Sequence, residues 1–228
     1  MFILKKTPLL YAGMLLLGCG TGDKDGQRRP ADSTSSPRVT AIPNDSLHKG
    51  KTDIPESYNE EDISGNEELA GRFKVIRANF KRINSFTGWT KIDSLDLWET
   101  TEGGEAKFYY QGTQLQKLIT RHYGETFQKL TEYYLLDGKL SFVFERSYSY
   151  NRPPYYDSAA MKAYNDTEAF SLDKSKITED RSYFENSRLI HQLNNEDCGS
   201  PFSAEYLKEE QDRITGDFSR IMKLNRSR

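Results

Sequence analysis

The spacing of apolar and polar residues divides much of the chain into a helix, a series of strands and a second helix. Ser64 and Glu67 have the form of a capping box, which predicts a helix start near Ser64. Apolar residues then recur at intervals of three and four, as on one stripe of an amphipathic helix. The residues of that stripe are Leu69, Phe73, Ile76, Phe80 and Ile83. A similar stripe predicts a last helix that begins at Ser203.

Between the two helices the period changes to two, which is typical of strands with one buried face. The clearest hairpin signal is Asp137-Gly138, and Leu140, Phe142 and Phe144 after it are expected on one face. We therefore predict a single α+β domain, an antiparallel β-meander of about six to eight strands packed by an N-terminal and a C-terminal amphipathic helix. The predicted strands are Ser94–Trp98, Ala106–Tyr110, Leu115–Tyr123, Phe127–Leu136, Lys139–Glu145, Ile177–Phe184 and Leu189–Leu193.

A short repeat supports successive hairpins. An aromatic pair, a turn and a leucine occur three times, and the leucine follows the second aromatic residue by five, six and five positions. The three copies are Tyr109-Tyr110 to Leu115, Tyr133-Tyr134 to Leu140, and Tyr183-Phe184 to Leu189. The repeat predicts architecture and no particular activity.

A long insertion at about 151–175 interrupts the meander. It is much longer than an ordinary hairpin loop, and loops of this length are often functional. Tyrosine offers an apolar face with a polar tip, suited to sugar rings or peptides, and the prolines restrict the backbone beforehand. The candidate ligand-binding residues are Tyr148, Tyr150, Arg152, Tyr155 and Tyr156. In the alternative interpretation, the first two tyrosines end a strand and the rest covers the sheet as a lid. Asp157-Ser158 suggests a short helix within it.

The beginning of the chain carries a different signal. Lys5 and Lys6 precede an apolar run, Leu9–Leu17, and small Gly18, which are the three parts of a secretory signal peptide. The run is shorter than the roughly 20 residues that span a bilayer. With Cys19, the sequence Leu-Leu-Gly-Cys resembles the lipobox of bacterial lipoproteins. The resemblance implies cleavage before Cys19, diacylation of its thiol, and a place in a bacterial cell envelope, facing the periplasm or the exterior. A soluble secreted protein and a buried apolar helix are the alternatives.

Residues 19–60 are rich in Gly, Ser, Thr, Pro and charged side chains, and their few apolar residues lack helical or strand spacing. Such a composition cannot offset the entropy of ordering the backbone, so a flexible leash is predicted. The expected organisation is a signal peptide at 1–18, a lipid-anchored linker at 19–60 and a globular domain at 61–228.

Composition and motifs exclude several functions. A formal net charge of -2 gives no electrostatic reason to bind nucleic acid. With Cys19 acylated, Cys198 is the only thiol left, so no intrachain disulfide is expected. Phosphate-binding glycine loops, nucleophile elbows and zinc-binding histidine motifs are missing from the sequence. No metal or cofactor is predicted, because the three histidines are isolated along the chain.

These observations favour a non-catalytic module that binds a glycan, a peptide or a partner protein. One alternative is a carrier of lipid or another apolar ligand in a sheet cavity lined by residues such as Phe108, Phe142 and Phe144. Another is a hydrolase in which Cys198 or a histidine, His122 or His191, meets a carboxylate.

Overall fold

The computed structural model describes residues 67–196 and 202–227, and for residues 67–69 it describes the backbone alone. Within these ranges seven strands form one antiparallel sheet in the order of the chain, so each strand pairs with its sequence neighbours. The predicted α+β meander is confirmed. The signal peptide, Cys19, the leash, the capping serine Ser64 and Cys198 lie outside the described residues.

Six of the seven strands are longer than the alternation of apolar residues predicts, because ladder hydrogen bonds continue into polar positions, and β4 has its predicted bounds. They are β1 (Lys91–Leu97), β2 (Gly104–Gln111), β3 (Gln114–Tyr123), β4 (Phe127–Leu136), β5 (Lys139–Ser149), β6 (Lys176–Glu185) and β7 (Arg188–Asn194). The Asp137-Gly138 hairpin forms as predicted, with φ of 51° and 76° at its two residues. Positive φ at both positions gives the turn whose twist matches the flanking strands.

Four α-helices and a short 3₁₀-helix (Leu172–Lys174) accompany the sheet in the described residues. The α-helices are α1 (Glu67–Arg72), α2 (Lys74–Asn84), α3 (Ser158–Ala163) and α4 (Ala204–Arg226). The predicted first helix is divided at Phe73, whose φ of -97° and ψ of 12° interrupt the regular turns. Ser203 caps α4 by accepting a hydrogen bond from the Tyr206 amide at 3.2 Å, as its predicted start requires. Asp157 caps α3 in the same way through the amides of Ala159 and Ala160.

Each face of the sheet has its own apolar core. On the first face, α4 packs through Ile214 and Ile221 against residues such as Phe108, Leu118 and Val143. On the second face, α2 packs against a cluster that contains Phe73, Ile76, Ile83, Tyr134, Phe142, Phe144 and Tyr183. The sheet is thus the middle layer of three, and most large side chains of its central strands are buried.

The sheet contains three β-bulges, and the one in β5 corrects the expectation that Leu140 shares a face with Phe142 and Phe144. The neighbouring residues Tyr134 and Leu135 of β4 pair with Phe142 and Leu140 of β5. Ser141 therefore has no partner on β4 and is an extra residue. An extra residue reverses the alternation, and Leu140 packs under α4 while Phe142 and Phe144 pack under α2. Gln116 and Ile190 are the extra residues of the other two bulges. The repeated leucines Leu115, Leu140 and Leu189 are the residues next to the bulges, all on the α4 face.

Candidate functional site

The long insertion lies at one end of the sheet, beside the β1–β2 and β3–β4 connections. We call this the aromatic end and define it by residues 98–103, 124–127 and 150–175. The connections are joined by backbone hydrogen bonds: the Tyr123 amide donates to the Gly103 carbonyl at 2.9 Å, and the Tyr150 amide donates to that of Thr126 at 2.8 Å. Backbone hydrogen bonds therefore hold the connections of the aromatic end to one another and to the adjoining strand ends.

Asn151 closes the neck of the insertion. Its Nδ2 donates to the Ala169 carbonyl at 3.0 Å, and its Oδ1 accepts from the Ser171 amide at 3.0 Å. The Phe170 amide also donates to the Tyr156 carbonyl at 2.7 Å. These bonds tie the beginning of the insertion to its end, so the segment is a closed, compact loop.

Asp166 holds the interior of the loop together. Its carboxylate accepts from Arg152 Nη2 at 3.1 Å, from Tyr156 Oη at 3.2 Å and from the Thr167 amide at 2.6 Å. The Thr167 amide is the main reason that the pKa of Asp166 lies below its ordinary value, with further contributions from Tyr156 and Arg152. The Tyr156 ring stacks on Tyr164 at 6.1 Å between centroids. These contacts link the two halves of the loop at its partly exposed surface, where the Arg152 and Asp166 side chains are 38% and 27% exposed.

The aromatic end exposes several large side chains to solvent. Tyr164 is 77% exposed, Tyr155 and Trp98 are each 69% exposed, and Phe127 is 38% exposed. Of the five aromatic residues among the exposed large hydrophobic side chains of the described ranges, these four lie at this end. Tyr155 is held in place by a 2.5 Å hydrogen bond from its Oη to Glu125 Oε1. Exposed aromatic residues gathered in one region mark an interaction surface more often than scattered ones do.

The five candidate residues from the sequence occupy different environments. Tyr155 is exposed, whereas Tyr156 and Arg152 are partly buried around Asp166. Tyr150 is partly buried and meets Phe170 edge to face at 5.4 Å. Tyr148 is partly buried and packs on the second face of the sheet against the Ile119–Leu130 cluster. Tyr155 is thus the candidate that presents most of its ring to a ligand.

Trp98 and Phe127 are distant from Tyr155 in sequence, and the sheet topology places them at the same end, whereas Tyr164 lies in the same insertion as Tyr155. Trp98 follows β1 and Phe127 begins β4, so three strand spacings of about 4.8 Å place them about 14 Å apart along the end. The sequence contains one signal that could have indicated them, since each is a large aromatic residue at a predicted strand end or in the insertion.

A second polar cluster lies between the sheet and α4. Glu145 on β5 is 3% exposed, and its two oxygens accept from Arg213 Nη1 at 3.0 Å and Arg213 Nη2 at 2.5 Å. Lys129 Nζ lies 2.5 Å from the same carboxylate. Burial alone would raise the pKa of Glu145, but these two cations outweigh it and lower the pKa to about 2. The cluster therefore holds α4 on the sheet with a buried, ionised carboxylate.

Of the two described histidines, His122 meets a carboxylate and His191 lies among aromatic rings, while Cys198 lies outside the described residues. His122 Nε2 lies 3.0 Å from Glu99 Oε2, and Glu99 also pairs with Arg220 of α4. Burial, and then the positive charge of Lys129, lower the pKa of His122. His191 stacks on Phe73 at 5.4 Å, and burial lowers its pKa as well. Both side chains take part in packing helices against the sheet.

The phenylalanines proposed for an apolar-ligand cavity do not share one. Phe108 belongs to the core under α4, whereas Phe142 and Phe144 belong to the core under α2. All three are at most 5% exposed. The helices fill the sheet faces at these positions.

Within 67–196 and 202–227, no group of three or more histidine, cysteine, aspartate or glutamate side chains is arranged to hold a metal ion. In the same residues, no helix combines the length and apolarity needed to cross a bilayer. Comparisons with protein-family models, curated proteins and solved structures find no match to this chain.

Proposed function

We propose that this chain is a lipid-anchored protein of a bacterial cell envelope, whose domain binds a glycan, a peptide or a partner protein through the aromatic end, without catalysis. The observation that carries the binding role is the exposure of Trp98, Phe127, Tyr155 and Tyr164 at that end. The anchor rests on the lipobox at Leu16–Cys19.

The geometry of the loop supports binding by a preformed surface. The Asn151 neck and the Asp166 core fix the backbone before any ligand arrives. A ligand then loses less affinity to the ordering of the loop. Tyrosine and tryptophan rings add large contact areas at a low cost in side-chain entropy. Planar aromatic faces stack on sugar rings or on the side chains of an extended peptide.

The test measures binding of the full chain to a printed glycan array and to a peptide array. We expect the double variant Tyr155→Ala/Tyr164→Ala to lose about tenfold or more in affinity for the strongest probe, since aromatic anchors dominate interface energies. Both side chains are largely exposed, so the thermal unfolding temperature should be nearly unchanged.

Ile92→Ala is the matched control, because Ile92 is 50% exposed but lies on the edge strand β1 rather than at the aromatic end. It should bind like the wild type. Equal affinity of the double variant and the wild type would contradict the assignment of binding to this surface.

A further inference from the structure

Positive charge gathers at the end of the sheet opposite to the aromatic end. We call it the basic end and define it by the turns 112–113, 137–138 and 186–187 and by the residues of α1, α2 and α4 that line the grooves beside them. Three grooves of about 730, 300 and 520 Å³ follow one another here. The first two share Arg72, Glu185 and Asn186, and the last two share Asp137. The grooves therefore form one continuous band across this end.

The side chains that line the band carry six positive charges and two negative ones. The cations are Arg72, Lys139, Arg188, Lys208, Lys223 and Arg226, and the carboxylates are Asp137 and Glu185. Lys208 pairs with Asp212 at 2.7 Å. The other five cations make no ion pair with any residue in the described part of the chain. The excess positive charge is thus available to an anionic partner.

The aromatic end has the opposite balance. Its three segments contain seven carboxylates and three basic side chains. The net charge of the whole chain, -2, hides this separation. Strands of ten residues at about 3.3 Å per residue keep the two ends roughly 30 Å apart. The groove residues of the basic end thus carry an excess of positive charge, and the segments of the aromatic end carry an excess of negative charge.

Apolar surface accompanies the cations. Leu115, Leu135, Phe218 and Met222 line the groove beside Lys223 and Arg226. Val75, which lines the middle groove, is 65% exposed. Lysine and arginine beside partly exposed apolar groups suit an interface that is charged outside and apolar inside.

We infer that the basic end docks on the surface of an anionic lipid bilayer. Its cations lie at the starts of β5 and β7, at the end of α1 and along α4, which fits an extended charged surface better than one small anion. Anionic lipids attract lysine and arginine within a Debye length of the membrane. Docking in this orientation directs the aromatic end away from the bilayer, where a ligand can reach it. The inference concerns a different surface from the proposed ligand site, so each can fail alone.

The test compares the partition of the full chain onto two kinds of vesicle. One is neutral phosphatidylcholine, and the other contains about 30% phosphatidylglycerol, which gives it a negative surface. Every protein compared carries Cys19→Ala, so no acyl chain contributes to partition. Every protein also keeps the apolar run Leu9–Leu17, so that run cannot cause a difference between variants. Arg188→Gln/Lys223→Gln/Arg226→Gln should lose about tenfold or more of the partition onto anionic vesicles. Partition onto neutral vesicles should not change.

Lys162→Gln/Lys174→Gln/Lys176→Gln is the matched control, since it removes the same charge from the opposite end. It should retain wild-type partition within about twofold, because its lysines would face away from the bilayer. Equal losses in the two triple variants, or no loss in the first, would overturn the inference. If circular dichroism shows that the first variant is unfolded, Lys223→Gln/Arg226→Gln gives the same comparison at exposed positions of α4.

The fluorescence of Trp98 reports the orientation. In a Trp89→Phe background, brominated lipids should leave Trp98 unquenched, because it lies at the aromatic end. Strong quenching would mean that the aromatic end enters the membrane and would overturn the proposed orientation.

Discussion

At the scale of single residues, Glu145 is the clearest case in which the fold changes the chemistry of a side chain. Removing a carboxylate from water is costly unless it is paired and hydrogen-bonded. Arg213 and Lys129 supply both, one from α4 and one from β4. The ion pair thereby connects the position of α4 to the protonation of one buried group.

We predict that Glu145→Gln lowers the free energy of unfolding at pH 7 by about 3 kcal/mol. The magnitude follows from the lowered pKa of Glu145, because a pKa difference of one corresponds to about 1.4 kcal/mol. The pKa of Glu145 falls from 4.5 to about 2 on folding, so the stabilisation is complete above pH 4.5. It is lost as the pH falls toward 2. Urea unfolding at successive pH values should show a wild-type stability that declines through this range, and a shallower decline in the variant.

The control for this measurement is Asp212→Asn, which breaks an ion pair with Lys208. The Asp212 side chain is 58% exposed and that of Lys208 is 74% exposed. Exposed pairs contribute about 0–1 kcal/mol, so this variant should remain close to the wild type at every pH. Parallel acid declines in wild type and Glu145→Gln would show that Glu145 does not carry the effect.

At the scale of elements, the bulges explain how one meander serves two helices. In a regular strand, Leu140 would lie with Phe142 under α2. The extra residue Ser141 sends it to the core under α4 instead. The bulged edge is also held by α2, since Arg82 Nη2 donates to Gln116 Oε1 at 2.7 Å and Asn79 Nδ2 donates to the Leu135 carbonyl at 3.0 Å. Bulges and helix contacts therefore reinforce one another.

The insertion is the element whose stability depends most on local hydrogen bonds. Asn151→Ala removes both bonds at its neck, so we predict faster amide hydrogen exchange at Phe170 and Ser171. Global stability should change by only about 1–2 kcal/mol, the net value of two hydrogen bonds. Hydrogen exchange read by mass spectrometry or NMR measures the local effect.

Asn195→Ala is the control for the neck. Asn195 bridges the Ile177 carbonyl and the Glu179 amide at 3.0 and 2.9 Å, which is the same pair of contacts at a different place. Its replacement should leave exchange at Phe170 and Ser171 unchanged. Comparable acceleration in both variants would mean that the neck is not specific to Asn151.

At the scale of the whole molecule, two different ends suit a domain that works close to a membrane. The proposed anchor at Cys19 would hold the chain there, and the leash of about forty residues predicted from composition would reach roughly 35 Å. That distance is similar to the length of the strands. A tether alone allows any orientation, whereas attraction at the basic end would select one.

The anchor is tested by metabolic palmitate labelling of the wild type and of Cys19→Ala. We expect label only in the wild type, since the proposed lipobox would supply the one acylated thiol, Cys19. The control variant Cys198→Ala removes the other cysteine and should keep the label. Equal labelling of wild type and Cys19→Ala would contradict the lipoprotein assignment.

The sequence alone determined the class of fold, most strand and helix positions, the insertion and its short helix. It did so because apolar periodicity, turn residues and helix caps act locally, within a few residues of Asp137, Asp157 or Ser203. It also contains Leu16-Leu17-Gly18-Cys19, which resembles a lipobox, and both the lipobox and the acylation that it implies stay predictions.

Only the tertiary structure decided which faces and ends those residues share. The bulge at Ser141 separates Leu140 from Phe142, and no local pattern indicates an extra residue in a ladder formed by two strands. Trp98, Phe127 and Tyr164 lie far apart in sequence, as do Arg72, Arg188 and Arg226. The antiparallel meander returns the chain to the same two ends at each turn, so residues distant in sequence gather there into one aromatic end and one basic end.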